Sequence, residues 1–315
     1  MRKKVLVTGS SGMLGTDLSL VFGRSYDVIG ADLAKSRTSA YRRRRFMRCD
    51  VTNRKKAVSA VKKSEADIVL HAAAWTDVDG CELDKEKAMA VNSEGARNIA
   101  LGCKETGAVM FYISSDFVFD GAKEASYVED DAPNPLNAYG LSKLKGEEAV
   151  RNECERYFIV RTSWLFGKNG KNFVDIILDK ADRRQALKVV MDQFGSPTFT
   201  KDLAKALEGM ASMALKNKRL RGVYHFCNGG NCSWYKYAEE ILRAAGKSET
   251  PILPMTSLEL DRPAARPGMS ILNTDKYSQL CGKRPRAWQA ALRDYLVNDL
   301  PMSGRDYVQS FKKKN

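Results

Sequence analysis

The stretch Val5–Gly15, "VLVTGSSGMLG", decides the fold. A short apolar run ends in a glycine-rich turn, and Gly12–Gly23 then has the spacing of a helix. Glycines at 9, 12 and 15 let the chain turn tightly and bring backbone N–H groups close to a pyrophosphate. The start of the helix adds its partial positive charge. A glycine pattern alone is a weak signal, but a position between strand and helix is the context it requires. Gly9, Ser11, Gly12, Met13, Leu14 and Gly15 are therefore candidate cofactor-binding residues. A second strand, "YDVIGAD", ends at Asp32, 23 residues beyond Gly9. An acid there accepts hydrogen bonds from adenosine ribose hydroxyls. Asp32 would repel a 2′-phosphate, while Lys35 and Arg37 would offset that repulsion, so the expected cofactor is NADPH or NADH.

Working outward, strands and helices alternate. "RFMRCD" reads as a third strand, "NRKKAVSAVKKS" as a helix, "ADIVLHAAA" as a buried strand, Met89–Cys103 as a helix and "AVMFYISS" as another strand. A helix is expected from Asn137 through Glu148, followed by the strand "YFIVRTS". This alternation predicts an α/β fold, a Rossmann-type doubly wound parallel sheet covered on both faces. Ligands in such sheets sit at the carboxyl ends of strands. Asp50 and Val51 are thus expected to flank the adenine, and Ala72, Ala73 and Ala74 to line the phosphates and ribose. His71 reads as a packed strand-end histidine.

After Trp164 the rhythm changes. "FVDIILDKA", "TKDLAKALEGMASMAL" and "SWYKYAEEILRAAG" read as helices, "LKVVMD" and "GVYHFCN" as short strands, and Pro251–Pro267 as irregular. A smaller, mixed C-terminal substrate lobe is expected from 166–187 and 227–315. The dinucleotide domain would then occupy 1–165 with returns near 188–226. The end, "FKKKN", is expected to fray.

Composition narrows the function classes. Hydrophobic residues make up 43% and charged residues 29%, which fits a soluble globular chain. No apolar run approaches the roughly 18 residues of a membrane span, and the apolar Val5–Val7 is too short for a signal peptide. Seven cysteines without a CxxC pair fit reduced thiols and a cytoplasmic location. Two histidines argue against a histidine-rich metal site, and no metal is expected. The formal charge of +14 favours anionic partners. Its densest cluster, Arg42–Arg45, reads as a solvated run outside any nucleic-acid motif.

The chemistry centres on "NAYGLSK", Asn137–Lys143. Among 12 tyrosines, only Tyr139 has a lysine four residues on. On a helix the two share a face, and a nearby lysine stabilises phenolate and lowers the phenol pKa. Such a tyrosine exchanges a proton with a carbonyl or alcohol. Alone, the pair is equally compatible with an ordinary helix surface. Upstream, a strand ends in Ser114, Ser115 and Asp116, where a hydroxyl can either cap the strand or hydrogen-bond a substrate carbonyl. A Ser115–Tyr139–Lys143 set beside a dinucleotide turn points to hydride transfer coupled to proton transfer.

These residues resemble the extended short-chain dehydrogenase/reductase family, and within it the rhamnose-type nucleotide-sugar reductases. The similarity runs from "VLVTGSSGMLG" through "HAAAWTDVDGCE", "SSDFVFDG", "PLNAYGLSKLKGE", "RTSWLFG", "DQFGSPT" and "GVYHFCNGG" to "RPGMSILNTDK". The resemblance implies reduction of the 4-keto group of dTDP-4-dehydro-L-rhamnose. It implies Tyr139 as proton donor, Lys143 tuning Tyr139 and holding the nicotinamide ribose, and Ser115 on the carbonyl. Asp116 would orient sugar hydroxyls, and Thr76, Val78, Phe117 and Trp164 would line the sugar, with a core role for Trp164 as the alternative. Two departures stand out. Phe117 stands where many relatives have tyrosine. Lys201 stands where some relatives carry a carboxylate that holds magnesium between subunits, so the metal is not carried over.

The expected partner is a nucleotide-sugar substrate, with a homodimer as one option and neither nucleic acid nor membrane. A non-catalytic dinucleotide-binding regulatory subunit, like that of methionine adenosyltransferase, is the main alternative. Another nucleotide-sugar reductase or an epimerase is the next.

Overall fold

The computed structural model describes residues 2–35 and 45–300. Arg37, Arg42–Arg44 and the "FKKKN" end lie outside them. The first half comprises β1 (Lys4–Thr8), α1 (Met13–Phe22), β2 (Asp27–Asp32), β3 (Arg45–Arg48), α2 (Arg54–Ser64), β4 (Ile68–His71), α3 (Val78–Leu83), α4 (Lys85–Met89), α5 (Gly95–Thr106), β5 (Val109–Ser115), α6 (Ala138–Glu153) and β6 (Tyr157–Thr162). The second half follows with β7 (Leu165–Phe166), α7 (Phe173–Asp182), β8 (Leu187–Val190), β9 (Phe194–Gly195), β10 (Thr198–Phe199), α8 (Thr200–Lys216), β11 (Gly222–His225), β12 (Cys232–Ser233), α9 (Trp234–Ala244), β13 (Ile252–Met255), α10 (Asp275–Cys281) and α11 (Trp288–Asn298).

Seven strands form one sheet in the order β11-β6-β5-β4-β1-β2-β3, with every neighbouring pair parallel. The near-continuous apolar strands follow from burial on both faces. Val5, Val7, Leu70 and Phe111 meet Leu18 of α1 and Leu203 and Leu207 of α8. Leu6, Val69 and Met110 point the other way, to Val61 of α2 and Ile99 of α5. The strand order reverses between β1 and β4, and a crevice opens at such a switch point.

Several elements differ from the sequence reading. The fourth strand stops at His71, which frees Ala72–Ala74 to leave the sheet at its carboxyl end. The helix expected over Met89–Cys103 continues from α4 through a π-helical turn, Ala90–Glu94, into α5. In that turn Asn92 accepts the Trp75 N–H at 2.8 Å and donates to Ser142 Oγ at 3.0 Å. The helix expected from Asn137 through Glu148, α6, runs on to Glu153.

β11 joins the main sheet beside β6. β8, expected to return there as well, pairs instead with β13 inside the stretch read as irregular. Pro254 lacks an N–H, but a two-stranded edge tolerates it. The second lobe has its own core, where Phe166, Phe199, Tyr237, Trp288, Leu292 and Tyr295 come together.

Leu207 is fully buried where α8 covers the sheet. Leu207→Ala should cost about 2–5 kcal/mol, read as a lower urea midpoint at unchanged slope. An unchanged midpoint would contradict this packing.

Candidate active site

The glycine turn is built by exclusion. Gly9 has φ +66°, and a Cβ on it would stand 2.6 Å from the Ala73 nitrogen. A Cβ on Gly15 would stand 2.0 Å from the Gly9 carbonyl oxygen. The first turn of α1 therefore folds tightly against the end of β1. Gly12 begins α1 with no side-chain cap, which leaves the helix start to a ligand. Next to it, the Asp32 carboxylate accepts the backbone N–H groups of Ser11 at 2.9 Å and Leu33 at 2.7 Å. The cradle thus fits a dinucleotide.

A cleft of about 360 Å³ runs from Gly9, Gly12, Met13, Leu14 and Gly15 past Ala72, Ala74 and Thr76 to Ser115, Asp116, Tyr139, Lys143 and Trp164. Other expected cofactor residues are not part of this wall. Ser11 donates its hydroxyl to the Ala34 carbonyl at 2.6 Å. Asp50 caps its own turn by accepting from Thr52. Val51 is a core residue, and Ala73 presents its backbone to Gly9.

Ser115 ends β5, and α6 begins where Asn137 accepts the Gly140 N–H at 2.8 Å. Gly140 is required here, since a Cβ would lie 2.1 Å from the Phe117 carbonyl oxygen. The hydroxyl of Ser115 donates to Asp116 at 3.0 Å and accepts the Phe117 N–H at 3.1 Å, and Tyr139 lines the same cleft. Lys143 is 2% exposed. Its Nζ donates to the Ile113 carbonyl at 2.6 Å and lies 4.2 Å from the centre of the Tyr112 ring.

The electrostatics correct one expectation. Burial and the nearby Asp116 push the Tyr139 phenol up from its ordinary value, while Ser115 opposes them. Lys143 is turned to Ile113, so it does not hold the phenol down. Tyr139 is therefore held as the protonated acid. Burial lowers Lys143 to about 7, with Glu147 opposing. Asp116 is raised to about 6, again chiefly by burial, and the Ser270 and Ser115 hydroxyls oppose that shift.

A second cavity of about 480 Å³ adjoins the first. Val78, Phe117 and Trp164 line it, with Lys171, Lys180, Lys188, Arg262 and Arg266. Trp164 takes a left-handed backbone conformation, φ +46°, which is strained for a bulky residue. Its ring stacks on Trp234 with centres 3.6 Å apart. Phe117 meets Tyr139 edge-on at 5.7 Å.

Sequence reasoning missed Ser270, whose hydroxyl donates to Asp116 at 2.6 Å. It also missed Trp234 and the Arg266–Asp79 pair, which has Nη1–Oδ1 at 2.7 Å and Nη2–Oδ2 at 2.8 Å. The "RPGMS" motif was the one signal that marked this segment.

Lys201 pairs with the buried Asp299 at 2.6 Å, and Asp17 is bound to the Thr200 hydroxyl. An ammonium so placed does not fit a divalent cation. Among the described residues no group of three or more His, Cys, Asp or Glu side chains could hold a metal ion.

His71 is buried, shares a 2.6 Å hydrogen bond with Thr8, and stacks on Tyr112. Burial, then Lys143, pushes its pKa down to about 3. Between about 6.5 and that value the unfolded chain binds the extra proton, so stability falls as pH falls. His71→Asn should flatten that slope by up to about 1.4 kcal/mol per pH unit, measured by urea unfolding at pH 7 and pH 5. An identical slope would contradict a neutral buried His71. Gly15→Ala should weaken NADPH binding by roughly tenfold or more, as a lost interaction of about 1.4 kcal/mol requires. Fluorescence titration of a folded variant reads it, and wild-type affinity would contradict the cradle.

One relative, a spore coat polysaccharide biosynthesis protein of Bacillus subtilis, is 39% identical over 93% of this chain and 96% of its own length. A dTDP-4-dehydrorhamnose reductase of Streptomyces griseus is 37% identical over 93% of each. A crystal structure of the dTDP-4-dehydrorhamnose reductase of Bacillus anthracis, in complex with NADP, superposes with a TM-score of 0.85. It is 34% identical and covers 94% of this chain and 99% of that one. Since the family model described as the RmlD substrate binding domain matches residues 2–300, the chain belongs to that family.

Proposed function

We propose that this chain reduces the C4 ketone of dTDP-4-dehydro-L-rhamnose to give dTDP-L-rhamnose, with NADPH or NADH as reductant. The observation that carries this reading is the Tyr139 phenol, held in its acid form beside Ser115 where the glycine-turn cleft meets the basic cavity. The names of the relatives support the same substrate.

A reduced nicotinamide dinucleotide bound along Gly9–Gly15 supplies the hydride. Ser115 donates a hydrogen bond to the ketone oxygen, polarising the carbonyl. Tyr139 gives its phenolic proton to that oxygen as negative charge develops there. Lys143 holds the nicotinamide ribose, and its ammonium stabilises the phenolate that remains only once it turns from the Ile113 carbonyl it binds in the unliganded site. To donate to the ketone, Ser115 turns its one hydroxyl proton away from Asp116, which accepts it in the unliganded site; Asp116, still held by the Ser270 hydroxyl, orients sugar hydroxyls. Trp164 and Val78 wall the sugar, and Phe117 offers a ring without a hydroxyl. Lys171, Lys180 and Lys188 supply charge for the nucleotide phosphates.

Free cysteines support a cytoplasmic setting. A purely regulatory dinucleotide binder would not need the complete Ser115–Tyr139–Lys143 set, and no observation favours it.

The wild-type protein should consume NADPH or NADH when given dTDP-4-dehydro-L-rhamnose, followed as absorbance loss. No turnover with either cofactor would overturn the reading. Tyr139→Phe should bind cofactor normally yet lose roughly 10²–10⁴-fold in turnover. Near-normal turnover would remove Tyr139 as the acid.

A further inference from the structure

Glu147 has no part in the site described above, yet it is a fully buried carboxylate one helical turn beyond Lys143 and two beyond Tyr139. Its Oε1 accepts the Ser114 hydroxyl at 2.7 Å and Arg161 Nε at 2.9 Å. Its Oε2 accepts Arg161 Nη2 at 2.8 Å and Arg151 Nη2 at 2.9 Å. Arg161 is 1% exposed and lies over the Phe119 ring, so the pair is sealed from solvent. Burying such a pair costs desolvation that well-packed apolar residues would avoid. Holding a helix to a sheet does not by itself require the charges.

Their placement gives them a use. Three neighbouring residues at the end of β5 face three turns of α6, though not in the same order. The Ile113 carbonyl takes the Lys143 ammonium, Ser114 binds Glu147, and Ser115 meets Tyr139. Arg161 lies opposite Ser114 in the register of β5 with β6. We infer that Glu147 is a positioning residue of the reaction: it fixes the register of α6 on the sheet and stands as the buried counter-charge of Lys143.

Titratable groups stand near Lys143 on several elements among the described residues. On α6 they are Tyr139 and Glu147. On β5 and just beyond it lie Tyr112 and Asp116, on β4 the neutral His71, and on β6 Arg161, already bound to Glu147. Burial draws the Lys143 pKa down to about 7, and Glu147 opposes that shift.

The inference rests on the reductase reading of Lys143, but its first readout needs no turnover, so the two fail separately. Label the lysines with ¹³C, identify Lys143 as the resonance lost in Lys143→Arg, and titrate the unliganded protein. In Glu147→Gln the Lys143 midpoint should fall by about one pH unit, a tenfold smaller protonated fraction above both midpoints. Arg151→Gln, at the half-exposed end of the cluster, keeps the experiment decisive if the single variant fails to fold. It relieves Glu147 of one competing cation, so the Lys143 midpoint should rise. The descending limb of turnover against pH should move with the midpoint, while KM for the nucleotide sugar stays within about twofold, since ground-state binding is untouched. A Lys143 midpoint equal to wild type in either folded variant would overturn the inference and leave Glu147 a structural bolt.

Discussion

Gly146 has no side chain, and a Cβ there would stand 2.2 Å from the Tyr112 hydroxyl. Its absence lets α6 settle directly on β5, with Tyr112 donating toward the backbone oxygens of Asn92 and Lys143. From this seating the rest follows. Lys143 reaches the Ile113 carbonyl, Glu147 reaches Ser114, and the start of the helix comes so close to Phe117 that Gly140 is also required. Tyr139, between those contacts, is left beside Ser115 at the edge of the cleft. The groups proposed to react thus stand on a strand end and a helix, which is what accurate positioning demands.

The same seating sets the electrostatics. Burial dominates at Tyr139, Lys143, Asp116 and His71, and in each case it favours the neutral form. A neutral phenol suits an acid that must deliver a proton. A lysine balanced near neutrality responds to whatever charge lies beside it, which makes the neighbouring carboxylate consequential. The exposed mouth of the second cavity carries the opposite character, a set of cations suited to phosphates.

The parts legible in the sequence were those with local signals. The alternation of strands and helices gave the doubly wound parallel sheet, because most of its buried strands are nearly continuous apolar runs. "VLVTGSSGMLG" marked the cradle because two of its glycines, Gly9 and Gly15, sit where a Cβ would collide. The Tyr139–Lys143 spacing marked the helix face. What stayed hidden was long-range or energetic. Ser270 meets Asp116 across 154 positions, and β8 finds β13 through two four-residue strands, one carrying a proline. The direction of the phenol shift also escaped the sequence. A lysine four residues away suggests a lowered pKa, but its ammonium is committed to Ile113 and burial prevails.

The account requires hydride to arrive at one sugar carbon while Tyr139 protonates the attached oxygen. Supply dTDP-4-dehydro-L-rhamnose with a reduced dinucleotide carrying deuterium at the transferring position of the nicotinamide, and locate the label in the product by NMR. Deuterium at C4 of the sugar, with one reduced dinucleotide consumed per product, is the predicted result. Label at another carbon, or epimerised sugar without net consumption of the dinucleotide, would contradict it.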